Sequence, residues 1–304
     1  MTVGRPIAVE SADRPALGIT LMVAGMLIVP MLDACAKILS ADYAVLQVSW
    51  ARFAFHFLWL LPIVTWRGYR WWRVPTSPWL HLSRSAFLTL ATVCFFLAIS
   101  VVPIPNALAL LFVSPLAVTL VAPFLLREPF SPARVSAAAV GLVGVLIVLR
   151  PGTSDFSPMA LFAVAAGLSY AMYIITTRRV AGQGPPLVTL FYTAVVGFFT
   201  LSLTMPVVWI WPDARGWGLM ALMGLLAAAG HFLVIQACEY ADASLLSPFN
   251  YTEIVGATAV SYWIFGYFPD LWAWLGIAVI CGSGIAISLW ELKPARRVPE
   301  TVDL

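Results

Sequence analysis

Apolar positions along this chain run in long unbroken stretches, and polar residues collect in the short gaps between them. The stretches lie near 17–38, 43–64, 80–102, 105–126, 133–149, 157–179, 186–208, 217–239, 243–267 and 270–290. Spanning a bilayer takes about 20 apolar residues in helical form, so each stretch predicts a membrane helix. Alternation of apolar and polar residues is missing, and an outer-membrane strand would need only about ten residues. Ten stretches divide into two sets of five. Because five is odd, a second copy of a five-helix unit enters the membrane from the opposite side, which is the inverted repeat on which many carriers are built. The predicted fold class is an all-α integral membrane protein, with ten transmembrane helices as two inverted five-helix repeats.

Weak internal similarity runs in register with that count. Pro129 and Pro269 precede the fifth and tenth stretches, and Gly144 and Gly284 lie inside them. Pro62 and Pro206 close the second and seventh. The expected domains are a tail at 1–16, a first repeat at 17–150, a turn-rich linker at 151–156, a second repeat at 157–290 and a tail at 291–304. Small residues thread several helices, as in Gly141-x-x-Gly144 and Gly282-x-Gly284. Lipid gives helices no hydrophobic reason to associate, so small faces that let backbones approach are read as packing seams.

Composition agrees with the pattern. Hydrophobic residues make up 62% of the 304-residue chain and charged residues 10%, where a soluble domain carries roughly 25% charged residues. The placement of basic residues says more than their sum. Arg5, Arg14, Arg67, Arg70, Arg73, Arg84, Arg127, Arg134, Arg178, Arg179, Lys293, Arg296 and Arg297 fall in alternate loops or tails, whereas the other set of loops and margins holds Lys37, Arg150 and Arg215. Basic loops stay on the cytoplasmic side, which puts both termini there and the protein in the plasma (inner) membrane. The Arg67–Arg84 segment with Trp66, Trp71, Trp72 and Trp79 reads as an interfacial belt beside a topology signal, not as a nucleic-acid surface. The four cysteines make no Cys-x-x-Cys, and no metal or cofactor is expected.

Ionisable groups at bilayer depth are costly, roughly 2.5–3.5 kcal/mol each on insertion scales, and so point to a pathway. Asp33 and Arg52 lie about 9 Å and about 13 Å below the outer surface by helical rise. Such depths allow an ion pair that fixes packing. They equally allow a carboxylate that exchanges partners between Arg52, Lys37 and a cationic or zwitterionic substrate. Glu253 stands mid-span with no basic residue in its own stretch. It suits either a proton-binding acid or a neutral acid hydrogen-bonded to a carbonyl, because loss of water favours the protonated form. His231 is a cavity-lining candidate, while His56 is isolated from it in sequence and His81 reads as interfacial. Pro115 and Pro248 interrupt the fourth and ninth stretches, the corresponding helices of the two halves. Non-helical backbone at such depth is tolerated where it is buried or lines water. Asn250 lies beside the second interruption, and Tyr170 and Tyr173 offer an aromatic wall with polar tips. Glu128, Glu239 and Asp242 are read as structural acids at helix ends.

Ser114-Pro115-Leu116, followed by Leu125-Leu126-Arg127-Glu128, a polar turn and a Gly-x-x-Gly helix, resembles the EamA-like family of the drug/metabolite transporter superfamily. Asp33-Ala34-x-x-Lys37 and Arg52 resemble it too, and the resemblance covers roughly residues 17–290. It implies ten spans in two five-helix repeats and movement of small metabolites such as amino acids and their derivatives, nucleobase-like compounds or vitamins. One departure is Gly266-Tyr267-Phe268, which stands where the second half would carry a counterpart of Glu128.

The expected function is a secondary transporter that moves a small polar or zwitterionic metabolite by alternating access, with proton coupling resting on Glu253. Substrate-binding candidates are Asp33, Arg52, Tyr170, Tyr173, His231, Asn250 and Glu253. The expected partners are a small-molecule substrate, membrane lipids and coupling protons, with self-association left open. An intramembrane lipid-modifying enzyme is disfavoured by the lack of clustered acids or a nucleophile–base pair. A channel is disfavoured by the lack of charge rings or a repeated filter.

Overall fold

The computed structural model describes residues 15–69, 77–126, 132–153, 155–180, 183–240 and 246–291. Expectations about the two tails, Trp71, Trp72, Glu128, Asp242 and the side chain of Glu239 lie outside the described residues. The first half contains α1 (Pro15–Leu39), α2 (Val45–Trp66), α3 (Pro78–Val101), α4 (Ile104–Leu111), α5 (Val113–Leu126) and α6 (Pro132–Leu149). The second half contains α7 (Ala160–Val180), α8 (Pro186–Ser202), the one-turn α9 (Met205–Val208) and α10 (Ala214–Tyr240). A 3-10 turn (Ser247–Tyr251) then leads into α11 (Thr252–Phe265), and α12 (Leu271–Glu291) closes the described chain. No strand occurs among the described residues. The protein is an all-α bundle of two five-helix repeats.

The helices α1, α2, α3, α7 and α10 are each long and apolar enough to cross a membrane, and shorter apolar helices stand at the fourth, fifth, seventh and tenth positions. Large apolar side chains face outward, among them Leu58, Trp59, Phe124, Phe162, Phe199 and Trp263. Such a surface suits lipid and would aggregate in water.

The fourth and ninth positions are broken, as the prolines require. Pro115 has no N–H for the carbonyl of Leu111, one turn earlier, and the helix breaks at Phe112 between α4 and α5. The backbone of α7 comes close at that point, since a Cβ on Gly167 would meet the Leu111 carbonyl oxygen at 2.6 Å. In the second half the tighter 3-10 turn occupies the equivalent place.

Packing repeats itself when the halves are exchanged. α1 lies along α10 and α3 lies along α7, that is, first on eighth and third on sixth. α1 also packs on α11, and α7 packs on α4 and α5. The second position meets the seventh through α2 and α8, and the fifth meets the tenth through α6 and α12. This last seam depends on two glycines. A Cβ on Gly276 would sit 2.8 Å from the Gly144 carbonyl oxygen, and a Cβ on Gly144 would sit 2.9 Å from that of Gly276. Close backbone contact replaces the hydrophobic drive that lipid does not supply.

One end of the bundle carries the 40–44 turn, Arg150, and the 209–213 and 266–270 segments. Polar ties cross there between the halves. Gln47 clamps the Ile210 peptide, donating to its carbonyl at 2.7 Å and accepting from its N–H at 2.9 Å. Tyr43 donates to Asp213 at 3.2 Å, and Asn106 donates to the Tyr267 hydroxyl at 3.0 Å. Arg150 donates to Asp270 and, at 3.0 Å, to Asp155. The Arg150 hydrogen bond holds the Asp270 carboxyl below its ordinary value of 3.8 and raises Arg150 in return. Asp270 also accepts the Ala273 N–H at 2.8 Å, which caps the start of α12.

Candidate functional site

Pro30 interrupts the hydrogen-bond ladder of α1 one turn before Asp33. The Asp33 side chain is 3% exposed. Its Oδ2 has no hydrogen-bond partner. Arg52, on the neighbouring α2, is close enough for its charge to act on Asp33. Yet no ion pair joins the two, whereas Arg150 pairs with both Asp155 and Asp270.

Arg52 is held instead by neutral groups. One Nη donates to the Thr92 hydroxyl of α3, and the other faces the Nε2 of His231 on α10 at 3.5 Å. The rings of Phe53 and Phe96 lie 5.3 and 5.9 Å from the guanidinium carbon, within range of a cation–π contact. Its Nε is buried and unpartnered. His56, one turn after Arg52, stacks on His231 with centroids 5.8 Å apart and planes 5° from parallel. The two histidines that are far apart in sequence therefore meet between the halves.

Lys37 does not compete for Asp33. Its ammonium donates to the carbonyls of Ile99 and Val102 at the end of α3, where a cation offsets the helix dipole. Glu253 sits in the first turn of α11. It has no hydrogen-bond partner among the described residues and lies within electrostatic reach of Asp33 and Tyr170. Tyr170 and Tyr173 on α7 lie with ring centroids 5.4 Å apart, and both act on Arg52. Five of the seven candidates, Asp33, Arg52, Tyr170, His231 and Glu253, thus converge on one interior region, with Tyr173 beside them. Asn250 lies one turn before Glu253, in the 3-10 segment, and no described contact joins it to the others.

Arg84 corrects the reading of the basic loops. It lies inside α3, is 4% exposed, and is not a loop residue. It donates to Thr177 at 2.7 Å, to the Thr189 carbonyl at 3.2 Å, to the Thr193 hydroxyl and to the Tyr173 hydroxyl at 2.9 Å. All four partners belong to α7 and α8 of the other half, and none is acidic. His81, in the first turn of α3, is also buried. The sequence held one signal for Arg84: hydrophobic residues resume directly around it, at Leu80, Leu82, Phe87 and Leu88.

A profile described as the EamA-like transporter family matches residues 16–150 and again residues 157–289. The chain belongs to the EamA-like transporter family. Among its relatives, the S-adenosylmethionine uptake transporter of Rickettsia prowazekii is 29% identical over 86% of this chain and 88% of its own length. The riboflavin transporter of Rhizobium johnstonii is 28% identical over 96% of this chain and 97% of its own. The riboflavin transporter of Vibrio cholerae is 31% identical over 64% of this chain and 66% of its own. A crystal structure of another protein superposes with a TM-score of 0.65 at 20% identity, covering 90% of this chain and 97% of that one; it shares the fold. As an EamA-like protein the chain is a multi-pass membrane transporter rather than an enzyme.

Proposed function

We propose that this EamA-like protein is a secondary carrier for a small zwitterionic metabolite, working by alternating access with both termini in the cytoplasm. The observation that carries the reading is the unmade pair of Asp33 and Arg52. A buried carboxylate oxygen and a buried guanidinium nitrogen, each without a partner, lie between the two halves. Leaving such groups unsatisfied is expensive. A ligand with its own cationic and anionic ends would supply both missing partners at once. Tyr170 and Tyr173 favour a flat ring in the same molecule. S-adenosylmethionine, the cargo named for several relatives, is zwitterionic and carries such a ring. Riboflavin, named for others, has the ring and no charged pair.

The ties at the Arg150 end belong, in this reading, to the outer gate, and the Arg84 contacts to the inner one. Rocking of the halves would break one set while keeping the other. Glu253 is the candidate for coupling to protons, since it has no fixed partner and faces the same region.

The test is counterflow in proteoliposomes. Vesicles loaded with unlabelled S-adenosylmethionine should accumulate labelled S-adenosylmethionine, with saturation, and riboflavin should compete weakly. Non-saturating flux without counterflow would make the protein a channel. Counterflow with riboflavin alone would remove the zwitterion.

A further inference from the structure

Arg52 is in an unexpected place for a buried cation. At low dielectric a guanidinium on a flexible stem is drawn strongly to a nearby carboxylate, and Asp33 is near enough for the two charges to act on each other. The pair is nevertheless open. Two neutral acceptors account for this. The Thr92 hydroxyl spends its own proton on the Leu88 carbonyl at 2.9 Å, which leaves its oxygen lone pairs to receive Arg52. His231 presents Nε2 to the other Nη. The His56 ring runs parallel to that of His231. The rings of Phe53 and Phe96 lie beside the guanidinium. Thr92 and Phe96 draw Arg52 toward α3, and His231 draws it toward α10.

We propose that Thr92 and His231 are positioning residues that hold the Arg52 guanidinium off Asp33, so that the Asp33 carboxylate stays open to the cationic group of the cargo. The role given to Asp33 rests on the carrier reading above; the holding of Arg52 does not. Without this arrangement the site would close on itself by forming an internal ion pair. A cargo cation would then have to displace Arg52 before it could bind. Thr92 acts only through Arg52, and His231 does so in addition to facing the interior.

The test reads Asp33 directly and needs no substrate. A hydrophobic carbodiimide modifies a buried carboxyl that has no ion partner and spares one covered by a guanidinium. The full-length protein in detergent is treated, and Asp33 and Glu253 are followed separately by peptide mass spectrometry. Wild-type Asp33 should be modified. Thr92→Val and His231→Leu should each lower its modification by about threefold to twentyfold, the range carried by one interhelical hydrogen bond in a membrane protein. His231→Gln, which keeps an acceptor, should hold the wild-type level. Adding Arg52→Gln to either weakened variant should restore modification, because no cation remains to cover Asp33. Glu253 serves as the internal reference. Should His231→Leu fail to fold, the near-isosteric Thr92→Val carries the test alone. Unchanged modification in folded Thr92→Val or His231→Leu protein overturns the proposal, as does an unreactive wild-type Asp33. Failed counterflow with this labelling pattern intact would sink the zwitterion reading and leave the holding of Arg52 standing.

Discussion

Arg84 and Tyr173 are linked both by ring contact and by a hydrogen bond that joins the halves at the end of the bundle away from Arg150. The guanidinium carbon lies 4.6 Å from the Tyr173 ring centre, and an Nη donates to its hydroxyl at 2.9 Å. With Thr177, Thr189 and Thr193 this ties α3 to α7 and α8 through four hydrogen bonds to neutral groups. Interhelical hydrogen bonds in membrane proteins average about 0.6 kcal/mol each, so Arg84→Met should cost about 2 kcal/mol. The check is thermal unfolding in detergent. An unchanged midpoint would mean that these contacts do not hold the halves together.

Glu253→Gln keeps the shape of the side chain and removes its exchangeable charge. Transport driven by a pH gradient should fall by at least about tenfold, the effect of removing a coupling acid rather than a packing group. Substrate counterflow without a gradient should persist. Loss of both in equal measure would make Glu253 a binding or structural residue instead.

Gly276→Val should disrupt the seam between α6 and α12, because the first side-chain atom already meets the Gly144 carbonyl oxygen. Overpacking of this kind costs about 1–3 kcal/mol. The measurement is again the unfolding midpoint, with Gly282→Val as the comparison. A Cβ at Gly282 meets nothing within 4 Å, so that variant should be nearly neutral.

The Arg150–Asp270 tie predicts a pH effect with a definite sign. Its folded-state carboxyl lies below the ordinary value of 3.8 because Arg150 hydrogen-bonds the charged form. The stabilisation is therefore complete above that value and is lost as pH falls through the lower folded-state value. Wild-type protein should lose this increment on acidification below about pH 4, where an ordinary Asp begins to protonate. Asp270→Asn should lack it at every pH. Parallel melting curves that stay a constant distance apart from pH 6 to about pH 3 would contradict the assignment.

The interruption of the fourth and ninth helices was legible because proline chemistry is local. Pro115 cannot donate an N–H whatever surrounds it, and the break follows at Phe112. The buried charges were legible for a related reason: Asp33, Arg52 and Glu253 stand out against long apolar runs. Their partners were not legible. His56 and His231 are 175 positions apart, and only the packing of α2 on α10 stacks them. Arg84 was misplaced because it stands one to two turns inside α3, where a basic residue near a helix end is hard to distinguish from a loop residue when the criterion is charge distribution.

The apolar runs and their odd-numbered halves are one-dimensional facts. Lipid demands internally satisfied backbone and a set length per crossing, so the helical class and the repeat follow from reading along the chain. Which buried group faces which is a different kind of fact. Helix rotation, tilt and the close approaches at glycine set side-chain directions, and these depend on neighbours drawn from both halves. That is why the chain alone could nominate Asp33 and Arg52 as a pair, while the assembled bundle kept them apart and gave Arg52 to Thr92 and His231.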